Sequence, residues 1–335
     1  MTNGVTNRPQ GTKERVVVLA GPTASGKSAL ALDIAEGLAE RGHGAVLINA
    51  DSMQVYRELR LLTARPDAAE EARVPHRVYG VMSADTACSV AQWRALALTA
   101  IEEALAASQV PIVVGGSGLY IRALLEGLSP MPDIPPEVRE AARGRYEALG
   151  EVRFRETLAE RDPTAASRIA AGDRQRLIRA WEVVEASGRP FEDWRGVAGE
   201  SLAWPALKLP LMPPREALYA ACDVRLEAMF AAGALAEVAA LSGAGLDAEL
   251  PAMKALGVRE FAAYLRGEMT QDEAIDKLRQ GTRRYAKRQS TWFRHQMPEA
   301  KTFAARYGDS HADEIRHMAE ALLATSALAG RARSR

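Results

Sequence analysis

A segment near the start of the chain carries the residue types and the spacing of a phosphate-binding loop. Gly21-Pro-Thr-Ala-Ser-Gly-Lys-Ser28 fits the pattern G-x-x-x-x-G-K-S/T at every fixed position. Small residues let consecutive backbone N–H groups surround a phosphate chain, to which Lys27 adds a full positive charge. The Ser28 hydroxyl can bind Mg²⁺. The pattern predicts a site for a phosphate chain and does not by itself indicate a nucleotide.

Two further polar residues follow short apolar runs, where strand ends would face a ligand crevice. Asp51 follows the first such run after the loop, and Ser117 follows a later one. Asp51 could coordinate a metal, act as a general base, or merely cap a following helix. Ser117 could donate a hydrogen bond into the same crevice. The glycines around it, Gly115, Gly116 and Gly118, either admit a ligand close to the backbone or form only a flexible turn.

The elements that must position these residues alternate between strand and helix. Apolar, β-branched runs predict buried strands, and apolar residues at helical spacing predict helices. The predicted strands are Arg15–Ala20, Ala45–Ala50 and Pro111–Gly115, and the predicted helices are Lys27–Glu40 and Val90–Ala107, the second capped by Ser89. This order predicts a parallel α/β sheet.

The second half of the chain has a different character. Four prolines between Ser129 and Pro136 indicate a boundary loop, and the pattern from Pro136 to about Ser187 is helical. Leu207–Met212 could be a strand that returns to the sheet. From Pro214 the pattern is helical to the end, with breaks near Gly243–Leu246 and at Gly267. The predicted organisation is a core domain over 14–128, a helical insertion domain over 129–200, a return to the core plus C-terminal helices over 201–325, and flexible tails at 1–13 and 326–335.

Composition excludes several classes of protein. The 335 residues contain 43 basic and 43 acidic side chains, so nucleic-acid binding would need a local patch. Cys88 and Cys222 are the two cysteines and form no C-x-x-C pair, which excludes a structural zinc site of the usual spacing and indicates a reducing compartment. The sequence lacks a membrane-spanning apolar run and a signal-peptide pattern. We expect a cytoplasmic protein.

A strongly basic segment lies in the last third of the chain. Between Lys277 and Arg294 there are seven basic residues and no acidic ones, and Tyr285, Trp292 and Phe293 lie among them. A basic helix that carries aromatic residues suits contact with RNA phosphates and bases. The alternative is a solvated helix face whose charges pair with acids, among them Asp272, Glu273 and Asp276. Trp181 and Trp194 are interpreted as packing residues.

The ordered set of motifs resembles the tRNA dimethylallyltransferases, also called tRNA isopentenyltransferases, of the bacterial type. The resemblance runs from about Val16 to Arg294 and rests on the phosphate loop and on segments that are listed here: Ala50–Tyr56, Thr63–Pro66, Pro75–Arg77, Gly115–Gly127, Asp173–Ala180, Ser187–Gly188, Lys254–Arg259 and Thr282–Arg294. It implies a fold with a P-loop NTPase-like parallel sheet flanked by helices, a helical insertion domain and a helical C-terminal region.

The resemblance also implies a reaction. Dimethylallyl diphosphate would donate its dimethylallyl group to N6 of the adenosine 3′ of the anticodon in tRNA, position 37. The diphosphate would be held by the phosphate loop: Gly21, Pro22, Thr23, Ala24, Ser25, Gly26, Lys27 and Ser28. Asp51 would be the general base, and Ser117 and Arg225 the other catalytic residues. Mg²⁺ on Ser28 is the expected cofactor, and the expected state is a monomer.

Several segments match positions that contact tRNA in relatives. They comprise Asp51, Ser52, Met53 and Gln54; Arg139; Gln175, Arg176, Leu177, Ile178 and Arg179; and Lys254, Ala255, Leu256, Gly257, Val258 and Arg259. The basic helix adds Arg283, Arg284, Lys287 and Arg288. Two departures from the family pattern stand out: Leu62 replaces a usual Gly, and Arg65 replaces a usual Lys, which keeps the charge but not its geometry.

Three other functions fit part of the sequence. A small-molecule kinase would share the phosphate loop and the sheet but would not need the basic aromatic helix. An isopentenyltransferase that acts on free adenine nucleotide would need neither the insertion nor the basic C-terminal third. A non-catalytic RNA-binding protein would have no use for Asp51 beside a phosphate loop.

Overall fold

A computed structural model describes residues 16–194, 199–298, 300, 302–308, 313, 316 and 317. The predicted tails at 1–13 and 326–335 lie outside these residues. The strands are β1 Val16–Ala20, β2 Ala45–Asn49, β3 His76–Arg77, β4 Val110–Gly115 and β5 Ala206–Pro210. The helices are α1 Lys27–Glu40, α2 Ala68–Arg73, α3 Val90–Ala106, α4 Gly118–Glu126, α5 Pro136–Ala159, α6 Pro163–Arg168, α7 Arg174–Ser187, α8 Phe191–Trp194, α9 Arg215–Ala231, α10 Ala234–Gly243, α11 Val258–Leu265 and α12 Gln271–Gln296, with a 3₁₀ turn at Ala252–Lys254.

The five strands form one parallel sheet in the order β3-β2-β4-β1-β5. Its central strand pairs place Leu19 beside Val114 on one side and beside Leu209 on the other. The predicted return of the chain to the sheet after the insertion is therefore confirmed. The parallel sheet with flanking helices also confirms the predicted fold class. Because all strands run the same way, the ends of β1, β2 and β4 meet at one edge.

Helices cover both faces of the sheet, as a parallel sheet requires. Alternate residues of β1 point to opposite faces: Val18 packs with Trp93 and Phe293 in one apolar cluster, and Leu19 packs with Ile34 in the other. Helix α3 begins where the sequence predicts, because the Ser89 side chain accepts a hydrogen bond from the Gln92 N–H and the Gln92 side chain accepts one from the Ser89 N–H.

Residues 126–201 form a separate helical unit with a core of its own. Phe154, Leu158, Leu177 and Trp181 pack together in that core, which confirms that Trp181 is a packing residue. Helix α5 contains a kink at Gly150, whose φ of 70° is left-handed and favours glycine. Within the described residues of both units, no helix has the length and apolar character needed to cross a membrane.

The prediction of helix from Pro214 to the end, with breaks near Gly243–Leu246 and at Gly267, misses two further features. The left-handed Gly233 separates α9 from α10, and α12 ends at Gln296. Beyond α12, Phe303 forms a parallel bridge with Leu211 and packs into the core next to β5. The burial of Phe303 and Tyr307 therefore favours an extended course for this segment over another helical turn.

Candidate active site

The phosphate loop joins β1 to α1 in the arrangement that its sequence predicts. Helix α1 begins at Lys27, and Gly26 precedes it with a left-handed φ of 87°. The Ser25 N–H donates to the Pro22 carbonyl at 3.3 Å, and the Lys27 ammonium donates to the same carbonyl at 3.2 Å. The loop thus curls around the start of α1, where the backbone N–H groups and the helix dipole favour an anion.

The segment 302–308 lies against the outer side of this loop. The Tyr307 N–H donates to the Ser25 carbonyl at 3.1 Å, and the Arg306 Nε donates to the Ala24 carbonyl at 3.2 Å. A Cβ built on Gly26 would lie 2.3 Å from the Tyr307 carbonyl oxygen, so only glycine fits there. These contacts turn the loop carbonyls outward. No local sequence pattern predicts this role for residues 302–308.

Asp51 lies at the end of β2, and its backbone is held by Asn49. The Asn49 side chain accepts from the Asp51 N–H at 2.7 Å and donates to the Asp51 carbonyl at 2.9 Å. One carboxylate oxygen of Asp51 accepts from the Met53 N–H at 2.9 Å. Residues 50–67 are all described and contain no helix. The interpretation of Asp51 as a helix cap is therefore wrong, because its carboxylate closes a local turn instead.

Ser117 connects the ends of β4 and β2. Its hydroxyl oxygen accepts from the Ser52 N–H at 2.9 Å and lies 3.2 Å from the Ser52 hydroxyl. The Tyr285 hydroxyl, on α12, also hydrogen-bonds to Ser117. Ser117 therefore lies beside the residue that follows Asp51, as its position at a strand end predicts.

The glycines around Ser117 approach protein atoms closely. A Cβ built on Gly116 would lie 2.3 Å from the Gln289 amide nitrogen, and one on Gly118 would lie 2.4 Å from the Trp292 ring. A Cβ on Gly115 would lie 2.2 Å from the backbone of Ala50. Both earlier interpretations of these glycines are corrected, because they make room for α12 and for the neighbouring strand.

Gln289 links α12 to the two loops at the edge of the sheet. Its side-chain oxygen accepts from the Thr23 N–H at 2.8 Å, and its side-chain nitrogen donates to the Gly116 carbonyl at 2.8 Å. The Thr23 hydroxyl in turn accepts from Arg225 at 2.6 Å. Gln289 is buried. Its single amide fixes the separation of the phosphate loop and the loop after β4.

A crevice of about 250 Å³ opens at this edge of the sheet. It brings together residues of the phosphate loop, the end of β2, α9, the 3₁₀ turn and α12. Its polar lining residues are Thr23, Asp51, Ser52, Thr63, Arg225, Lys254, Thr282, Tyr285 and Arg288, and its apolar lining includes Met53, Leu62, Ala255, Leu256 and Met229. Three elements separated by up to 200 residues in the sequence thus place Thr23, Asp51 and Arg225 around one cavity.

Two cations and one carboxylate interact across the crevice. Burial lowers the pKa of Lys27 to about 8, the Asp51 carboxylate opposes that change, and Arg225 adds to it. Burial also lowers the pKa of Arg225, again opposed by Asp51. Two phenols, Tyr79 and Tyr285, have a raised pKa because of burial and because Asp51 is near. The clustered positive charge is stabilised by Asp51 and suits an anionic ligand.

The predicted tRNA-contacting residues differ in exposure. Arg139, Gln175, Arg176, Lys254, Arg259, Arg284, Lys287 and Arg288 are exposed, whereas Leu177, Ile178, Ala255 and Val258 are buried. For those four residues the prediction of side-chain contact with tRNA is corrected, since packing occupies their side chains. Gln54 donates to the Thr63 carbonyl at 2.8 Å, and Gly257 adjoins Leu62. Arg139 and residues 175–179 belong to the helical unit, and the others to the unit with the sheet.

The basic segment of α12 is divided among several environments. Arg283 donates to Asp223 at 3.2 Å through its Nε and lies over the Tyr219 ring at 5.6 Å. Arg279 pairs with Asp276, as the alternative interpretation of this segment predicts, and also with Asp223. Arg288 lines the crevice instead. The charged positions therefore do not form one continuous patch.

Asn49, Tyr79, Tyr285 and Gln289 are site residues that the sequence analysis missed. Gln289 acts through a partner far away in the chain, Thr23, whereas Asn49 acts on Asp51 two residues later, and none of the four has a recognisable local motif. Arg65, one of the departures from the family pattern, donates to the carbonyls of Tyr56 and Arg57 at 3.0 and 3.3 Å. These hydrogen bonds stabilise the loop that contains Arg65.

The described residues contain no group of three or more His, Cys, Asp or Glu side chains that could hold a metal ion. The Ser28 hydroxyl is exposed on the first turn of α1, beside the lysine of the phosphate loop. This oxygen fits Mg²⁺ that is held mainly by phosphate oxygens and water, which is how Mg²⁺ usually binds beside phosphates.

A phosphate loop between the first strand and first helix of a parallel sheet, with a crevice at the strand ends, defines a P-loop fold protein. The chain belongs to the IPP transferase family, whose profile matches residues 54–296. It is 51% identical to a tRNA dimethylallyltransferase of Rhodospirillum centenum, over 86% of this chain and 91% of the relative. It is 54% identical to one of Nitrobacter hamburgensis, over 84% of this chain and 88% of the relative.

Solved structures give the same result. A tRNA isopentenylpyrophosphate transferase from Bacillus halodurans aligns with a TM-score of 0.67 and 28% identity, over 95% of this chain and 98% of that one. A eukaryotic dimethylallyltransferase described as acting on tRNA aligns with a TM-score of 0.75 and 23% identity, over 93% of this chain and 80% of that one. The second alignment supports the fold alone.

Proposed function

We propose that this protein transfers a dimethylallyl group from dimethylallyl diphosphate to N6 of the adenosine 3′ of the anticodon in tRNA, releasing diphosphate. Family membership and the names of the relatives support the reaction. The observation that carries the proposal for this chain is the convergence of the phosphate loop, Asp51 and Arg225 on one crevice. The lining has an anion-binding side and a carboxylate within the same cavity.

The first half of the reaction is departure of the diphosphate. The bond between C1 of the dimethylallyl group and the diphosphate oxygen breaks, and the leaving group keeps the electron pair. Lys27, Arg225 and the backbone N–H groups at the start of α1 stabilise the negative charge that develops there. The Ser28 hydroxyl would hold Mg²⁺, which would add further stabilisation of this charge.

The second half is attack by the adenine amine. N6 forms a bond to C1 and gives up one proton, which the Asp51 carboxylate accepts. Asn49 and the Met53 N–H fix Asp51, so one carboxylate oxygen is held in a turn. Ser117 holds the Ser52 backbone beside it. The apolar walls at Met53, Leu62 and Met229 suit the hydrocarbon part of the donor and exclude water from the cation.

The RNA side of the proposal rests on exposed polar residues. A base in a stacked anticodon loop must be displaced to enter a crevice. We assign tRNA contact to Ser52 and Gln54 near the crevice, to Lys254 and Arg288 in its lining, to the exposed Arg259, Arg284 and Lys287, and to Arg139, Gln175, Arg176 and Arg179 of the helical unit. All residues that line the crevice belong to one chain, so a monomer would suffice for the reaction. We propose that this monomer acts in the cytoplasm.

The direct test uses dimethylallyl diphosphate labelled in its dimethylallyl group, incubated with tRNA, with AMP and with a tRNA that has guanosine at position 37. We expect label in tRNA only, at N6 of adenosine 37. Label in AMP would favour the free-nucleotide enzyme. Turnover of ATP without transfer of the label would favour a kinase.

A further inference from the structure

A second cavity, of about 410 Å³, lies between the first turns of α9 and the last turns of α12. It adjoins the end of β5 through Met212 and Pro213 and does not share a lining residue with the crevice. On α12 its residues are Lys287, Ser290, Thr291, Phe293 and Arg294, and spacings of three and four place Lys287, Ser290, Thr291 and Arg294 on one face of the helix. The crevice uses other positions of that helix, Leu278, Thr282, Tyr285 and Arg288.

Three cationic side chains, Arg215, Lys287 and Arg294, lie around this second cavity. Its described lining contains no acidic residue, and none of these cations forms an ion pair with another described residue. Arg279 and Arg283, one or two turns earlier on α12, are by contrast paired with Asp223. In a chain of zero net charge, three unpaired cations at one cavity produce a strong local positive potential.

The other lining groups are hydrogen-bond donors above an apolar floor. Thr291 and Thr302 present hydroxyl groups, the Ser290 hydroxyl donates to the Ala286 carbonyl of its own helix, and Leu218 and Phe293 form the buried floor. Arg215 lies over the Tyr219 ring at 5.0 Å, which restricts the guanidinium. Arg215 is also the first residue of α9, a helix of 17 residues whose N-terminus has no side-chain cap. Glu216 on the same turn is exposed and lies outside the lining.

We propose that this second cavity is a phosphate-binding site, separate from the phosphate loop and across α12 from the crevice. Guanidinium groups, an ammonium group, hydroxyl groups and an uncapped helix N-terminus are together complementary to a phosphate oxyanion. The phosphate can belong to the RNA backbone or to a free diphosphate. This inference rests on the proposed function, because that function determines which phosphate compounds the protein encounters.

The experiment compares the double variant Arg215→Gln/Arg294→Gln with the control Lys208→Gln/Arg266→Gln. The control removes the same charge from exposed positions outside both cavities. Binding of tRNA is measured at several salt concentrations, and binding of inorganic diphosphate is measured by calorimetry. Thermal unfolding confirms that each variant is folded, and label transfer by the unmodified protein tests the proposed function separately from these binding measurements.

If the phosphate belongs to RNA, the double variant binds tRNA roughly tenfold more weakly and its salt slope falls by about 1, while diphosphate binding is unchanged. If the phosphate is free, the number of diphosphate ions bound per chain falls from two to one, while tRNA binding is unchanged. Either result supports the phosphate-binding site and identifies the source of the phosphate. Equal behaviour of the double variant and the control in both measurements would overturn the proposal.

Discussion

Asn49 holds both sides of the Asp51 backbone, accepting from its N–H at 2.7 Å and donating to its carbonyl at 2.9 Å. Asn49 is itself buried at the end of β2, where its own carbonyl accepts from the Trp93 indole at 2.9 Å. A side chain in the sheet core thus determines where the crevice carboxylate lies. The effect of this arrangement on the reaction can be tested separately from its effect on stability.

We expect Asn49→Ala to slow transfer at saturating substrates while leaving the Kd of both substrates within severalfold. The loss of these hydrogen bonds also costs about 1–3 kcal/mol of the free energy of unfolding, because buried backbone groups lose their partner. Leu47→Ala is the control, since Leu47 lies on the same strand but packs in the apolar cluster of Leu19 and Ile34 and does not line the crevice. Equal rates in the two variants at equal folded fraction would show that Asn49 has only a structural role.

The lowered pKa of Lys27 predicts how the binding of dimethylallyl diphosphate depends on pH. Its pKa is lowered from 10.5 to about 8 in the free protein, chiefly by burial. A bound diphosphate favours the protonated lysine, so affinity for dimethylallyl diphosphate is full below pH 8 and weakens above it, by up to tenfold per pH unit. Between about pH 8 and 10.5 the unfolded chain binds more protons at this residue, so its contribution to stability rises with pH.

Lys27→Arg separates charge from titration, because a guanidinium stays protonated throughout this range. We expect the donor Kd of Lys27→Arg to lose the inflection near pH 8, and Lys27→Ala to bind the donor weakly at every pH with little change in tRNA affinity. The measurement is the Kd of each variant for dimethylallyl diphosphate, determined by titration at pH values from 6.5 to 9.5. An inflection near pH 8 that persists in Lys27→Arg would assign it to another group.

Gln289 allows a test of how α12 positions the phosphate loop. Gln289→Glu keeps an oxygen that can accept from the Thr23 N–H but removes the donor to the Gly116 carbonyl. We expect KM for dimethylallyl diphosphate to rise at least severalfold, because the two loops are no longer fixed relative to each other. The control is Gln296→Glu, the same substitution at an exposed position at the end of α12. An unchanged KM in Gln289→Glu would contradict this role.

Some basic residues are paired with an acid and others line the crevice, so we expect their substitution to have unequal effects on RNA binding. Arg288→Ala removes a cation that lines the crevice and forms no ion pair with another described residue, and we expect weaker tRNA binding and a salt slope lower by about 1. Arg279→Ala and Arg283→Ala remove cations already paired with Asp223, so we expect near-normal slopes. Filter binding across a salt series compares them. A large loss of slope in the Arg279 and Arg283 variants alone would reverse this assignment.

The elements with strong local patterns could be predicted from the sequence. The apolar run before Gly21, the phosphate loop and the Ser89 cap each fix a strand, a turn or a helix start from neighbouring residues. The return of β5 could also be predicted, because a parallel sheet needs buried strands and crossover helices. The two-residue strand β3 could not be predicted, because it has too few residues to show any periodicity.

The supporting contacts of the site could not be predicted for a different reason. Gln289 lies 266 positions from Thr23, and it looks like any polar residue within a basic helix until α12 is packed against the sheet. The same applies to Tyr307, whose backbone reaches the phosphate loop only because Phe303 is buried beside β5. Spacing along the chain predicts which residues could do chemistry, but tertiary packing determines which other residues hold them.

The most direct test of the account is single-turnover transfer of the dimethylallyl group by Asp51→Asn. Asn is nearly isosteric and preserves the turn to Met53, but it cannot accept the proton from the adenine amine. We predict a rate roughly 10²–10⁴-fold lower, with the Kd of both substrates within severalfold and thermal stability unchanged. Raised Mg²⁺ should not restore the rate, since restoration would indicate a metal ligand instead. A near-normal single-turnover rate would contradict the assignment of Asp51 as the base.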